Sequence, residues 1–405
     1  MDRNSDSDSK SHDHAYKNMN QNSNNTESCN VISKPLLPED LIFDILTFVP
    51  LICLINSARH VCKTWAATIT SFGFSEAHKR RARYKHGLYV ESFMTGVSSY
   101  FLEFNDDVIN GEFERTYLGI PQGMGKIISS CEGLLLLLNT SGQVFLVNPI
   151  LKRWLRIPPF PSSRKHGVFR PQCTIVRVPC TSEFKLFLLD IVTILNEVWY
   201  VFYVLRIGID NSWKVIAKRE LLAPHGLLFS ELIHNGGDGL YWKSNDEITD
   251  ILREIDVDKE IIITREYPVL WRSNILWMGK YLSCITSCED LSRPFQVFIL
   301  DSDSREWSRY HEMGPFDYVA ACGHELDVRY NYACFRLWIN DLIIFDIDKQ
   351  QNRRGANTQS PKNIYFGYNI KTRKLTKIEG IDMGSFEVWL HTNSLASLPS
   401  MATDV

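Results

Sequence analysis

The sequence has no large excess of charge of either sign, and this limits the partners it can bind. Its 405 residues carry 44 Lys and Arg against 47 Asp and Glu, a formal net charge of −3. Proteins that bind nucleic acid generally need a basic excess to displace counterions from the phosphates. The near-balance therefore argues against general binding to nucleic acid.

The sequence also lacks cysteine pairs at metal-ligand spacing, although it contains ten cysteines. No Cys-x-x-Cys occurs, and the closest two, Cys284 and Cys288, are separated by three residues. We therefore expect reduced, mostly buried thiols and no structural zinc site. The N-terminal segment has no apolar run of the kind found in secretory signals, so the expected location is the cytoplasm, the nucleus or both.

No uninterrupted apolar run has the length of a membrane span. Residues 186–209 are long enough, but Asp190, Glu197 and Arg206 interrupt them, and charges at membrane depth are costly. Their β-branched and aromatic residues favour two strands that turn at Asn196 and Glu197.

Two segments resemble catalytic or ion-binding motifs, but each lacks residues that its motif requires. Residues 122–126 (QGMGK) resemble a phosphate loop, but the spacing is wrong and no Ser or Thr follows the Lys. Residues 301–312 (DSDSREWSRYHE) have three acids at calcium-loop positions, but Glu306 replaces the required Gly and Arg305 adds a positive charge. A hairpin turn explains this segment better. We expect no catalytic residues, no cofactor, no metal and no enzymatic activity.

The chain is long enough for more than one core, and its composition changes along its length. We predict a disordered polar segment at 1–33, a helical module at 35–72, a basic linker at 73–87, an all-β region at 88–395 and a tail at 396–405. The basic run HKRRARYKHG in the linker suits either a solvated helix end or a nuclear-import signal.

Short apolar runs in the β region are followed by Asn or Asp and then by a returning apolar anchor. The closest pair is VFLVNPILKRW (144–154) and VFILDSDSREW (297–307), and looser copies lie at 202–213, 251–262 and 364–375. Asn and Asp open tight turns by bonding to nearby backbone, so each unit predicts a β-hairpin. A period near fifty residues is typical of four-stranded propeller blades, and about six fit into 88–395. A β-sandwich pair or another all-β array is the alternative.

The stretch LLPEDLIFDILTFVP predicts a short amphipathic helix in front of the strands. Pro38 suits the first helical turn, Glu39 and Asp40 complement the helix dipole, and Pro50 ends the helix. Apolar residues at helical spacing form one stripe, and a second stripe follows between Leu51 and Ile69. About 35 residues cannot bury both stripes, so the block must pack on the β region or on another protein.

Residues 37–65 (LPEDLIFDILTFVPLICLINSARHVCKTW) resemble an F-box. The Leu-Pro start, Ile45-Leu46, Pro50 and the closing Val-Cys-Lys-x-Trp stand in the family's order, whereas Phe48 and Val49 replace a frequent Arg-Leu. Residues 130–161 (SCEGLLLL through RWLRIPPFP) resemble the opening of the F-box-associated, kelch-like domain of plant proteins.

The resemblance implies an α+β multidomain chain, a small helical F-box followed by an all-β propeller of about six kelch-like blades. F-box proteins are substrate receptors of Skp–cullin–F-box ubiquitin ligases. The box docks on the Skp adaptor, and through it on the cullin-RING ligase, while the C-terminal domain holds an unidentified protein substrate. No nucleic acid or membrane partner is implied. The runner-up function is a propeller enzyme or carbohydrate-binding protein whose helical block packs on its own propeller.

By the same resemblance, eight residues are the expected contacts with the Skp adaptor, and Trp65 is the best hot-spot candidate because buried aromatic side chains dominate interfaces. Internal packing of the box is the alternative role for each of them. The eight are Leu37, Pro38, Leu41, Ile45, Leu54, Val61, Cys62 and Trp65. Two polar loops, 161–172 and 348–363, are the candidates for binding substrate.

Overall fold

The computed structural model of the protein describes residues 37–81 and most of residues 86–403. In the second range the exceptions are 93–99, 104–114, 118–123, 162–171, 196, 221–230, 235–238, 247–248, 270–272, 279–280, 287–290, 302, 305, 323–331, 349–363, 379–380, 382–385, 393, 397 and 399–401. The chain divides into two compact units, residues 1–42 and 43–405. The predicted disordered segment and nearly all of both predicted substrate loops lie outside the described residues.

Helices occupy the described residues up to Arg81. They are α1 (Glu39–Leu46), α2 (Leu51–Asn56), a 3₁₀ turn (Ala58–His60), α3 (Lys63–Ile69) and α4 (Phe72–Arg81). The prolines act as predicted, because the Pro38 carbonyl accepts the Ile42 N–H at 3.0 Å and the Pro50 carbonyl accepts the Leu54 N–H at 3.0 Å. The predicted linker 73–87 needs correction, since α4 continues through its first nine residues.

Strands form the rest of the described fold, apart from the short helix α5 (Tyr318–Cys322). Four sheets are each built from four consecutive strands. The first contains β8 (Gln172–Arg177), β9 (Phe184–Ile194), β10 (Glu197–Arg206) and β11 (Lys214–Glu220), and the second contains β12 (Glu231–His234), β13 (Gly239–Asp246), β14 (Thr249–Asp256) and β15 (Ile261–Val269). The third contains β16 (Ser273–Met278), β17 (Tyr281–Thr286), β18 (Phe295–Leu300) and β19 (Trp307–Met313), and the fourth contains β20 (Tyr332–Ile339), β21 (Leu342–Asp348), β22 (Ile364–Asn369) and β23 (Lys374–Lys377).

Two further sheets contain strands from the end of the chain. One has the order β24 (Phe386–Thr392), β1 (His86–Ser92), β2 (Tyr100–Glu103), β3 (Arg115–Tyr117), and the other has the order β25 (Ala402–Thr403), β7 (Arg153–Ile157), β6 (Val144–Asn148), β5 (Leu134–Leu138), β4 (Lys126–Cys131). The prediction of six blades is therefore corrected: the described residues form five four-stranded blades, and the remaining sheet has five strands. The architecture is a small helical region followed by an all-β propeller.

The five repeated sequence units are hairpins, as predicted, and each supplies the third and fourth strands of its sheet. They are β6–β7, β10–β11, β14–β15, β18–β19 and β22–β23. The polar turn residue works in the expected way. For example, the Asp256 carboxylate accepts the Lys259 N–H at 2.8 Å, and the Asn369 side-chain oxygen accepts the Thr372 N–H at 2.9 Å.

The segment that has the length of a membrane span is a long antiparallel hairpin. Strands β9 and β10 pair from Ile194 with Glu197 down to Lys185 with Arg206, which confirms the two predicted strands. Glu197, expected in the turn, is the first residue of β10, and Asn196 lies outside the described residues. Among the described residues, no helix has the length and apolar content required to cross a bilayer.

Apolar side chains pack between neighbouring sheets and close the ring. In β1, Val90 packs with Ile344 of β21, while the preceding Tyr89 packs with Leu135 of β5. Alternate residues of a strand face opposite sides, so one strand fills both interfaces. Strand β24 pairs with β1 along its whole length, from His86 with Thr392 to Ser92 with Phe386. Residues near the end of the described chain therefore complete the first sheet.

Candidate functional site

The helical region exposes an unusual number of large apolar side chains. Half of those exposed in the described chain, seven of fourteen, lie between residues 37 and 72. Scattered exposed apolar residues are normal, but a dense group marks an interaction site. Their exposed fractions run from 45% to 73% for Leu37, Leu41, Ile45, Phe48, Ile52, Val61 and Phe72.

The predicted adaptor contacts differ in exposure. Six are exposed: Leu37, Pro38, Leu41, Ile45, Val61 and Cys62. Trp65 is half-buried, and the contact role of these seven residues stays a prediction. Leu54 has no exposed surface, which favours the alternative role of internal packing, and its contact role too stays a prediction.

The helical region has a small core of its own. Its buried apolar residues are Leu46, Leu54, Ile55, Ala58, Ile69 and Phe74. Cys62 also has an internal role, because it caps α3 and its Sγ accepts the Trp65 N–H at 3.4 Å. The helical region thus buries six of its apolar side chains and leaves seven large ones exposed.

Helix α4 packs against the end of α1 through aromatic rings. Phe43 and Phe74 meet edge to face with centroids 5.4 Å apart, and His78 stacks beside Phe74 at 5.8 Å. The Nε2 atom of His78 lies 2.9 Å from the Val49 carbonyl oxygen. Burial lowers the pKa of His78 more than this hydrogen bond raises it. A carbonyl oxygen can only accept, so Nε2 carries a proton and donates in this hydrogen bond.

The same helix is ion-paired to the propeller. Arg177, at the end of β8, lies 2.7 Å from Glu76 and 2.9 Å from Glu132, and Lys79 lies 2.5 Å from Glu132. Burial opposes the charged form of Arg177, but hydrogen bonds and the charges of both glutamates outweigh it and raise its pKa. We call these four residues the junction cluster. They fix α4 on the edge of the propeller.

Glu132 is placed for this role by a tight turn between β4 and β5. Both turn residues have positive φ, +47° at Glu132 and +88° at Gly133, as a two-residue I′ hairpin requires. A Cβ atom at Gly133 would lie 2.1 Å from the Ser394 Oγ. That hydroxyl donates to the Glu132 carbonyl oxygen at 2.5 Å. The end of the chain therefore packs directly against the turn that carries Glu132.

Sequence reasoning missed the junction cluster and the exposed Phe48, Ile52 and Phe72. The basic run was a partial signal, since Lys79 bonds Glu132 and Arg81 lies 3.1 Å from Asp44. Nothing in the sequence indicates which distant carboxylates receive these charges. At least two residues of that run thus have structural partners.

The described residues provide no obvious place for metal chemistry. Within them, no group of three or more His, Cys, Asp or Glu is arranged to hold a metal ion. The calcium-like segment is a β18–β19 turn in which the Asp301 carboxylate accepts the Asp303 N–H at 2.8 Å.

Fold and exposed helical surface together define a class: an F-box protein with a β-propeller. Family models support both parts, since residues 35–76 match the F-box domain and residues 107–324 match the KIB1-4 β-propeller. The second match covers more than half of the chain, so the protein belongs to the KIB1-4 β-propeller family. This corrects the kelch-like assignment. F-box domains in general bind the Skp adaptor of cullin-RING ligases.

No curated protein sequence matches the chain. Similar solved structures include the Pseudomonas aeruginosa periplasmic gluconolactonase PpgL, with 12% identity over 73% of this chain and 82% of that one, and a TM-score of 0.40. TolB from Acinetobacter baumannii has 9% identity over 74% and 70%, with a TM-score of 0.34. Hydrazine synthase of Kuenenia stuttgartiensis has 14% identity over 64% and 69%, with a TM-score of 0.33. At these scores the likenesses have no bearing on function here.

Proposed function

We propose that this protein is the substrate-recognition subunit of a Skp–cullin–F-box ubiquitin ligase. The F-box docks on the Skp adaptor, the propeller holds the protein to be ubiquitinated, and the chain itself performs no chemistry. The observation that carries the proposal is the exposed apolar group between residues 37 and 72, which suits a partner with a complementary apolar surface. The proposed location is the cytoplasm, the nucleus or both.

One observation favours a second function. The junction cluster attaches α4 to the propeller, as expected for a propeller enzyme or carbohydrate-binding protein whose helices pack on its own sheets. This attachment, however, leaves Ile45, Phe48 and Ile52 exposed. Packing on the propeller therefore does not account for the helical region, and the ligase role is preferred.

Co-elution of the purified full-length chain with a Skp adaptor tests the proposal. We expect a stable complex that Leu41→Asp abolishes, because a carboxylate would enter an apolar contact. The matched control is Ile209→Asp, at a propeller side chain exposed by 52%, which should leave the complex intact. Absence of a complex with the unmodified chain would refute the ligase role, and glycan-array binding would then support the second function.

The substrate can be identified by an affinity-capture experiment, because the sequence does not indicate which protein the propeller binds. Affinity capture of the full-length chain under proteasome inhibition, read by mass spectrometry, should enrich proteins whose ubiquitination depends on an intact Leu41. A true substrate should be captured by both the unmodified chain and Leu41→Asp, because the propeller binds it, but should be ubiquitinated only with the unmodified chain.

A further inference from the structure

Phe48 is the most exposed large apolar side chain of the helical region, with 73% of its surface accessible. It lies two residues after the end of α1, and its N–H donates to the Ile45 carbonyl at 3.1 Å. An exposed phenylalanine with no partner in the folded chain would ordinarily sample several rotamers and gain nothing from its position. The surroundings of Phe48 show a different situation.

An arginine from α4 holds the ring. The guanidinium carbon of Arg81 lies 4.9 Å from the Phe48 ring centroid, within the range of a cation–π contact. Arg81 is itself fixed, because it donates to the Thr47 hydroxyl at 2.7 Å and to the Asp44 carboxylate at 3.1 Å. Thr47 is fully buried and donates onward to the Asp44 carbonyl at 2.7 Å.

The contacts of Arg81 hold the Phe48 ring in one orientation while leaving it exposed for binding. Fixing a side chain before association lowers the entropy lost on binding. Aromatic and arginine side chains at the centre of a contact are also the residue types that dominate interface energetics. Arg81 lies outside the matched F-box, residues 35–76, so the helix that reaches the propeller also shapes the docking surface.

The partner follows from the continuity of the surface. Ile45, one turn before Phe48, is a predicted adaptor contact and is exposed by 47%, and Ile52 on α2 is exposed by 57%. Phe48 stands where the F-box pattern often has Arg. A partner seated on Ile45 would therefore meet an apolar ring at this position in place of a charge.

We propose that Phe48 is a contact for the Skp adaptor and that Arg81 is the residue that positions it. The proposal rests on the ligase function proposed above. It assigns the ring to an apolar pocket of the adaptor, adjacent to the site that receives Ile45.

Calorimetric titration of the Skp adaptor into the full-length protein tests the proposal through a double-mutant cycle. We expect Phe48→Ala to weaken binding about 30-fold and Arg81→Gln about 5-fold, by releasing the ring. In the Phe48→Ala background, Arg81→Gln should have no further effect. A merely structural arginine would weaken binding equally in both backgrounds and would refute the positioning role.

Two controls separate the outcomes. Tyr310→Ala removes an aromatic ring exposed by 50% on the propeller, and Arg206→Gln breaks an exposed ion pair; both should bind as the unmodified protein does. Normal binding of Phe48→Ala would overturn this inference and leave the ligase function standing. No binding by the unmodified protein would overturn both. If light scattering shows a dimer that Phe48→Ala dissociates, the ring contacts a second copy and the proposal is wrong.

Discussion

The helical region and the propeller differ in how many of their large apolar side chains are exposed to solvent. Residues 37–72 leave seven large apolar side chains exposed, whereas the described propeller, several times longer, exposes the same number and buries even charged residues such as Lys185 and Asp346. In the propeller every sheet covers the next, so repetition supplies the missing layer. Among the described residues, nothing covers these seven side chains of the helical region. The exposure is therefore a consequence of architecture and not of composition.

The largest predicted effect tests the buried side of this comparison. Trp242 is 1% exposed and lies between Tyr200 and Phe202, with ring centroids at 5.1 and 4.7 Å. Trp242→Ala should lower the free energy of unfolding by about 3–5 kcal/mol, since the cavity cannot refill. Thermal unfolding measures it, and Ile209→Ala, at an exposed site, should stay within about 0.5 kcal/mol. Equal losses of stability in the two variants would show that the propeller does not differ between its buried and exposed positions as described.

The next prediction separates inside from outside within the helices. Leu54 is wholly buried, and Ile52, two residues away on α2, is exposed by 57%. Leu54→Ala should destabilise the helical region by about 2–4 kcal/mol, whereas Ile52→Ala should change stability little and weaken adaptor binding instead. Far-ultraviolet circular dichroism during denaturation follows the first effect. A similar loss of stability in both variants would show that α2 has no exposed face.

A third prediction concerns a buried base at the ring closure. His391 in β24 is 1% exposed and meets Tyr89 edge to face at 5.9 Å. Burial lowers the pKa of His391 from 6.5 to about 3, so the unfolded chain binds more protons than the folded one. The free energy of unfolding is therefore at its full value above pH 6.5, and the proton uptake of the unfolded chain at His391 lowers it as the pH falls from 6.5 toward 3.

By pH 5 this one group should lower the free energy of unfolding by about 2 kcal/mol. Denaturant titration of the unmodified protein and of His391→Phe, at pH 7 and pH 5, measures the difference. The phenylalanine variant should lose less stability between the two pH values. Identical slopes would show that His391 takes up its proton without unfolding the ring closure.

The smallest predicted effect lies at the border between the two regions. Arg177→Gln removes the cation shared by Glu76 and Glu132 and should loosen α4 by about 1–2 kcal/mol. Hydrogen exchange of the α4 amides reports it, with Arg206→Gln as the control for an exposed pair. Unchanged exchange in α4 would mean that its aromatic contacts alone hold it.

Local features of the fold were predictable from the sequence. Four of the five hairpins were, because the Asn or Asp that opens the turn bonds to backbone two or three residues ahead, an interaction within one sequence window. The helical stripe was also visible, since its period depends on neighbours only.

Features that depend on distant partners were not predictable. The approach of Glu132 to Lys79 and Arg177, and the pairing of β24 with β1, depend on the assembled ring. The same limit applies to the burial of Leu54, because the helical period shows that a residue is on an apolar stripe but not which part of that stripe is covered.

The pairing of β1 with β24 also means that the first sheet cannot be completed until late in synthesis of the chain. Strand β1 ends at Ser92 and its partner begins at Phe386, so a ribosome that adds about 5–20 residues per second needs on the order of 15–60 s between them. During that interval the helices have already emerged while the first sheet still lacks β24, the strand at one of its edges. Under the proposed ligase function, an adaptor in the same compartment would meet the helical region on a nascent chain, before the propeller has closed.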